Sequence, residues 1–147
     1  MEIAIIGAGW YGCHLATSLK NFGFNVSVFE KKREIFTGAS SKNQNRLHLG
    51  FHYARDASTR DQTKKGFEEF KKQYGFVLED VYTNIYAVPE IESQICPETY
   101  RLTMVSSGLY FDQINPKRFG IDRCKFGFKT QEKIINWKKG NQWYFIL

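Results

Sequence analysis

The chain has 147 residues, 42% of them hydrophobic and 24% charged. That balance excludes wholesale disorder and leaves room for one ordinary domain, or one domain and a piece of another. The net charge of +6 is spread over small groups such as Lys31-Lys32-Arg33, Lys64-Lys65 and Lys138-Lys139; with no nucleic-acid motif beside them, they read as solvated surface.

No run approaches the ~18 apolar residues that span a membrane, and no basic leader precedes the first strand-like run, so neither a membrane span nor a signal peptide is expected. Cys13, Cys96 and Cys124 are odd in number and widely spaced. This excludes a disulfide framework and a zinc site and suits free thiols in a cytoplasmic protein.

Glu2-Ile3-Ala4-Ile5-Ile6 is a short apolar run rich in β-branched residues that stops at Gly7, the pattern of a buried parallel strand. Tyr11, Leu15, Leu19 and Phe22 then recur at helical spacing, and Gly23 supplies a stop. Asn25 to Phe29 alternates as a second strand and ends at Glu30. Lys31 to Thr37 reads as a short helical turn. Gly38 to Arg46 is small and polar, and Leu47 to Tyr53 reads as a strand or an extended loop. Asp61 to Tyr74 is an amphipathic helix with Phe67, Phe70 and Tyr74 on one face. Tyr82 to Val88 reads as a strand, Pro97 to Ser107 as a helix, and Lys125 to Lys129 and Lys133 to Trp137 as strands. The last residues, Trp143-Tyr144-Phe145-Ile146-Leu147, are apolar.

Gly7-Ala8-Gly9-Trp10-Tyr11-Gly12 fits G-x-G-x-x-G, and here it sits between a strand and a helix inside a βαβ unit of about 30 residues, the context that gives the pattern meaning. Gly7 allows the tight turn, Gly9 lets the backbone approach a pyrophosphate, and Gly12 lets the helix close on the strand. The amides of Trp10 and Tyr11 open the helix, where unpaired N–H groups and a partial positive charge receive phosphates. Glu30, 18 residues after Gly12, is placed to accept from ribose hydroxyls and to repel a 2′-phosphate, so NADP is disfavoured. A thiol at Cys13, in the first helical turns, is open to a lowered pKa, although small-residue packing is the commoner use.

The segment Ser40-Ser41-Lys42-Asn43-Gln44-Asn45-Arg46-Leu47-His48-Leu49-Gly50-Phe51-His52-Tyr53 resembles the stretch after the second strand in FAD-dependent oxidoreductases of the D-amino-acid oxidase superfamily, in particular the L-2-hydroxyglutarate and glycerol-3-phosphate oxidising enzymes. Ser40 or Ser41, Asn43, His48, Gly50 and Tyr53 carry the likeness, which covers roughly residues 1 to 90 and is specific over 1 to 55. The resemblance implies FAD as cofactor. Gly7, Gly9, Trp10, Tyr11, Gly12, Glu30 and Lys31 would serve its ADP half, and Ser41, Asn43, Asn45, Arg46 and His48 the pyrophosphate and flavin ring. For His48 a buried histidine satisfied by backbone is an equal alternative. No catalytic base is assigned.

The expected fold is α/β: a Rossmann-like FAD-binding portion of three-layer type over residues 1 to 80, followed over 81 to 147 by the start of an α+β substrate domain. The resemblance further implies a second domain and a returning segment, for which no counterpart is read before Leu147. The expectation is therefore a fragment or split subunit, with FAD, a small-molecule substrate and a complementing chain as partners. An NAD-binding dehydrogenase or epimerase fragment and a non-catalytic nucleotide-binding module are the competing readings.

Overall fold

A computed structural model describes the backbone of residues 1–144 and the side chains of residues 1–141, so the apolar run from Trp143 to Leu147 lies outside the described side chains. The chain forms two compact units, Met1–Asn45 with Ile135–Leu147, and Arg46–Ile134.

The first unit begins with β1 (Glu2–Ile6), α1 (Trp10–Asn21) and β2 (Asn25–Phe29). β1 and β2 pair in parallel, Glu2 opposite Asn25 and Ile6 opposite Phe29. Parallel neighbours need a crossover, and α1 supplies it. α1 ends at Gly23, whose φ of 86° suits a residue without Cβ. The expected helical turn over Lys31 to Thr37 is instead a series of bends. Phe36 has a φ of 62° there, its N–H donates to the Ala8 carbonyl at 2.9 Å, and its buried ring stacks on Trp10 at 5.1 Å. Ala8, Cys13 and Phe36 make a small core that Trp10, Ile35 and Trp137 complete. Trp137 opens α4 (Trp137–Tyr144).

The apolar pattern read for this unit is not buried as expected. In β1 only Ile5 is buried, and Ile6 is 83% exposed. In α1 the buried residue is Cys13, while Tyr11 is 90% exposed and Leu15 is exposed too; Phe22, just past the helix, is 80% exposed. Val28 and Phe29 of β2 are also exposed. The reason is topological: this sheet has two strands among the described residues, too few to cover the apolar positions of β1, β2 and α1.

The second unit holds β3 (Arg46–Leu47), α2 (Ala57–Tyr74), β4 (Leu78–Asp80), β5 (Ile85–Pro89), α3 (Pro97–Ser106), β6 (Asp112–Ile114) and β7 (Cys124–Lys129); β8 (Lys133–Ile135) closes it. Two three-stranded sheets result, ordered β3-β8-β4 and β5-β7-β6. β7 pairs antiparallel with both neighbours, so Phe128 lies opposite Tyr86 and Gln113. Its buried Phe126 and Phe128 join Phe51, Val88, Tyr100, Met104 and Leu109 in the core. The Tyr86 and Phe128 rings stack at 5.3 Å.

α2 starts four residues before the expected Asp61, because Asp56 caps it: its carboxylate accepts the Thr59 N–H at 2.9 Å, the usual service of Asp at that position. Phe67 and Tyr74 are buried on the face read from the sequence. The strand expected from Tyr82 begins only at Ile85, and the run expected to Trp137 stops at Ile135. β4 and β6 carry three residues each, too few to show a period.

Candidate functional site

In the first unit the glycine turn is built as the motif requires. Gly7 has a φ of 101°, and its N–H donates to the Phe29 carbonyl at 2.7 Å, which ties the turn to the end of β2. Gly12 presses so closely on the Gly7 carbonyl that a Cβ there would overlap its oxygen. Gly9 has an extended backbone, and a Cβ on it would stand 3.3 Å from the Ser40 hydroxyl. α1 begins with no side-chain cap and no acidic residue in its first turn, so its positive end is not neutralised from within the helix.

Two side chains serve this turn. The Glu30 carboxylate accepts the Ala8 N–H at 2.7 Å through one oxygen and the Lys32 N–H at 3.0 Å through the other. These amides, Ala8 first, hold its pKa below the usual Glu value, so it is ionised and keeps lone pairs for further donors. The Ser40 hydroxyl accepts the Trp10 N–H at 2.9 Å. Ser40 therefore sits at the helix start, whereas the Ser41 hydroxyl, the one assigned to the cofactor by the likeness, bonds back to the Gly38 carbonyl at 3.3 Å.

Asn43 bonds the Ala39 carbonyl and accepts the Asn45 N–H at 2.6 Å. Asn45 has a φ of 51°, in the left-handed region that Asn tolerates. Lys31 is exposed. Cys13 is not activated: burial, helped by the Glu30 charge, pushes its thiol up to about 11, and desolvation outweighs the helix end.

Arg46 and His48 belong to the second unit, where they meet a residue that the sequence did not single out. Glu132 is 1% exposed. One of its oxygens accepts the Leu49 N–H at 2.8 Å. The other accepts the Tyr86 hydroxyl at 2.7 Å and the Asn84 amide at 3.3 Å, and lies 3.5 Å from His48 Nδ1 and 3.9 Å from Arg46 Nε. The Arg46 guanidinium also lies over the Tyr86 ring at 5.4 Å. Buried Asn84 donates to the Thr130 hydroxyl at 2.6 Å. His48 thus has side chains, Glu132 and Tyr86, beside Nδ1. Its neighbour His52 packs edge-on at 4.7 Å and is held below the usual His pKa by burial and by His48.

Gly50, the glycine of the same segment, has a φ of 114° and faces the Arg60 backbone of α2, where a Cβ would stand 3.3 Å from the carbonyl oxygen. Buried Arg60 donates to the Tyr53 carbonyl at 2.6 Å. Glu132 was missed because its partners lie far away in the chain, from 46 residues for Tyr86 to 83 for Leu49, and it stands in the short loop between β7 and β8.

Burial pushes the Glu132 pKa up, but the bonds from His48, Leu49 N–H and Tyr86 outweigh it and leave it lowered. A carboxyl lowered on folding stabilises the fold above the ordinary Glu value, and that contribution fades as pH falls through the lower folded value. The stability lost in Glu132→Gln should therefore be constant near neutrality and shrink below about pH 4.3, the ordinary Glu pKa. Thermal unfolding of both proteins across pH checks this; a difference that widens in acid would contradict it.

Comparison with known proteins places these features in a class. The family model described as FAD dependent oxidoreductase (DAO) matches residues 2–123, and the chain belongs to that family, whose cofactor is FAD. The match runs well past the residues 1 to 90 over which the likeness was read.

Among relatives, the FAD-dependent monooxygenase FPY4 of Fusarium mangiferae is 46% identical over 143 residues, 97% of this chain and 39% of that protein. The FAD-dependent monooxygenase kojA of Aspergillus flavus is 38% identical over 106 residues, 69% of this chain and 25% of that protein. The chain thus spans less than half the length of these relatives. Among solved structures, L-proline dehydrogenase from P. horikoshii superposes with a TM-score of 0.66 at 17% identity, over 99% of this chain and 40% of that one, a likeness of fold. Among the described residues no group of His, Cys, Asp and Glu is set to hold a metal, and no helix is long and apolar enough to cross a membrane.

Proposed function

We propose that this chain binds FAD on a Rossmann-like βαβ unit and serves the flavin-dependent oxidation of a small amino or 2-hydroxy substrate. The observation that carries the reading is the Gly7–Gly12 turn, with a helix start that has no acidic residue in its first turn on one side and the ionised Glu30 tied to it by the Ala8 amide. Gly9 leaves room for a pyrophosphate, the amides of Tyr11 and Gly12 supply donors, and Glu30 keeps lone pairs for ribose hydroxyls. Lys31, Ser41, Asn43, Asn45, Arg46 and His48 are assigned to the cofactor by the family likeness. Bound FAD would supply the hydride acceptor that protein side chains lack.

Free thiols at Cys13, Cys96 and Cys124 favour a reducing, cytoplasmic setting. Exposed Ile6, Tyr11, Leu15, Phe22 and Phe29 favour a complementing polypeptide over this face, since apolar patches of that kind mark interfaces.

The test has two arms. The purified chain, or the chain refolded with nucleotide, is expected to retain FAD or ADP more tightly than NADP and to turn yellow with FAD; preferential NADP retention would reject the assignment and favour a nicotinamide enzyme. In anaerobic bleaching with a panel of amino and 2-hydroxy acids, the isolated chain is expected to show no multiple turnover. Sustained bleaching and reoxidation by these 147 residues would refute the need for a complementing part.

A further inference from the structure

Two residues assigned to the cofactor, Arg46 and His48, share a buried partner to which no binding role has been given. We propose that Glu132 is a positioning residue: its carboxylate fixes the proton of His48 on Nδ1, holds the ring in place, and leaves Nε2 as a bare hydrogen-bond acceptor. The ligand side of this proposal rests on the FAD reading above; the tautomer does not.

The argument is one of proton accounting. His48 Nδ1 lies 3.5 Å from the Glu132 carboxylate and 3.5 Å from the Tyr86 hydroxyl oxygen. The carboxylate has no proton to give. The Tyr86 proton is already committed, because its hydroxyl donates to the same Glu132 oxygen at 2.7 Å. Both neighbours of Nδ1 are therefore acceptors, and only an N–H at Nδ1 satisfies them. Which ring nitrogen of a histidine carries the proton is set by the bond the other one makes. A neutral ring bound in this way keeps no proton on Nε2.

Glu132 can act as a fixed reference because it is itself fully tied. The Leu49 amide holds one oxygen at 2.8 Å, Tyr86 and Asn84 hold the other, and it is 1% exposed. His48 and Arg46 keep side-chain exposures of 28% and 26%, so both can meet a ligand while anchored from behind. Outer partners of this kind orient a functional imidazole and set its tautomer, as carboxylates do for metal-bound histidines. The consequence is chemical: with a bare Nε2, His48 offers a ligand an acceptor, while Arg46 beside it offers donors only.

The test reads the tautomer directly, by long-range 1H–15N correlation on the 15N-labelled full chain, or by magic-angle-spinning spectra where the protein is sedimented. His48→Gln identifies the resonance among those of His14, His48 and His52. At a pH where the ring is neutral, His48 should be in the Nδ1–H form, with Nε2 at the shift of an unprotonated nitrogen. Glu132→Gln should return it to the Nε2–H form that histidine prefers in water, and Tyr86→Phe, which keeps the carboxylate, should retain Nδ1–H.

A wild-type ring in the Nε2–H form, or Nδ1–H surviving in folded Glu132→Gln, would overturn the proposal, as would loss of Nδ1–H in Tyr86→Phe. Should Glu132→Gln fail to fold, the wild-type ring and Tyr86→Phe still decide. Added FAD that leaves the His48 resonances unmoved would remove His48 from the cofactor site with Glu132's role intact, so the two readings fail separately.

Discussion

Replacing Gly9 with valine is expected to weaken FAD and ADP binding by on the order of 100-fold, about 2.7 kcal/mol, while the protein still folds. The backbone at Gly9 has φ −74° and ψ −178°, extended values open to any L-residue, so the substitution brings no torsional strain. What it brings is volume. The Cβ would stand 3.3 Å from the Ser40 hydroxyl, and the branched methyls would occupy the space in front of the α1 amides where the proposed pyrophosphate site lies. Ser40 can rotate away; a phosphate has no second place with the same donors.

Glu30→Ala should weaken binding less, since it removes acceptors for the ribose and leaves the phosphate amides in place. Calorimetric titration with ADP, checked by circular dichroism for the fold, measures both. Unchanged ADP affinity in folded Gly9→Val would show that the phosphate site is wrongly placed.

Gly12→Ala should act on the fold itself. Its Cβ would overlap the Gly7 carbonyl oxygen and come within 3.1 Å of the Gly7 carbonyl carbon. Both are backbone atoms, in a turn that the Gly7 N–H bonds to β2. No side chain can swing aside, so α1 must lift from β1. A cost of about 3 kcal/mol is expected, the upper part of the range for overpacked sites, and a single-domain stability is only 5–15 kcal/mol. Denaturant unfolding would measure it. A loss under about 1 kcal/mol would mean that the helix stands farther from the turn than the structure has it. The two glycines thus separate by assay: Gly9 by binding, Gly12 by stability.

The two variants also mark where local sequence suffices. A strand that stops at a glycine, a helix with one glycine before it and another in its first turn, and an acid just after the next strand form one continuous stretch. The β1–β2 pairing and the bond of Glu30 to the Ala8 amide are both made within it. The helix at Asp61 to Tyr74 was equally legible, because Phe67 and Tyr74 are buried against their unit at helical spacing; its true start needed only the Asp56 cap.

The sequence by itself determined the βαβ unit, the glycine turn with an acid after the second strand, and the likeness that gave the family and its cofactor. Tertiary structure alone decided three matters. It put the Ser40 hydroxyl on the Trp10 amide, because a hydroxyl thirty residues from Trp10 reaches it only after the chain has turned back. It left Tyr11, Phe22 and Ile6 exposed, because apolar spacing states which residues can be buried and not whether a neighbour is present to bury them. It also gathered Arg46, His48, Tyr86 and Asn84 on Glu132. A buried charge needs its partners in space, and chain order carries no record of partners that the β3–β8 and β5–β7 pairings bring together.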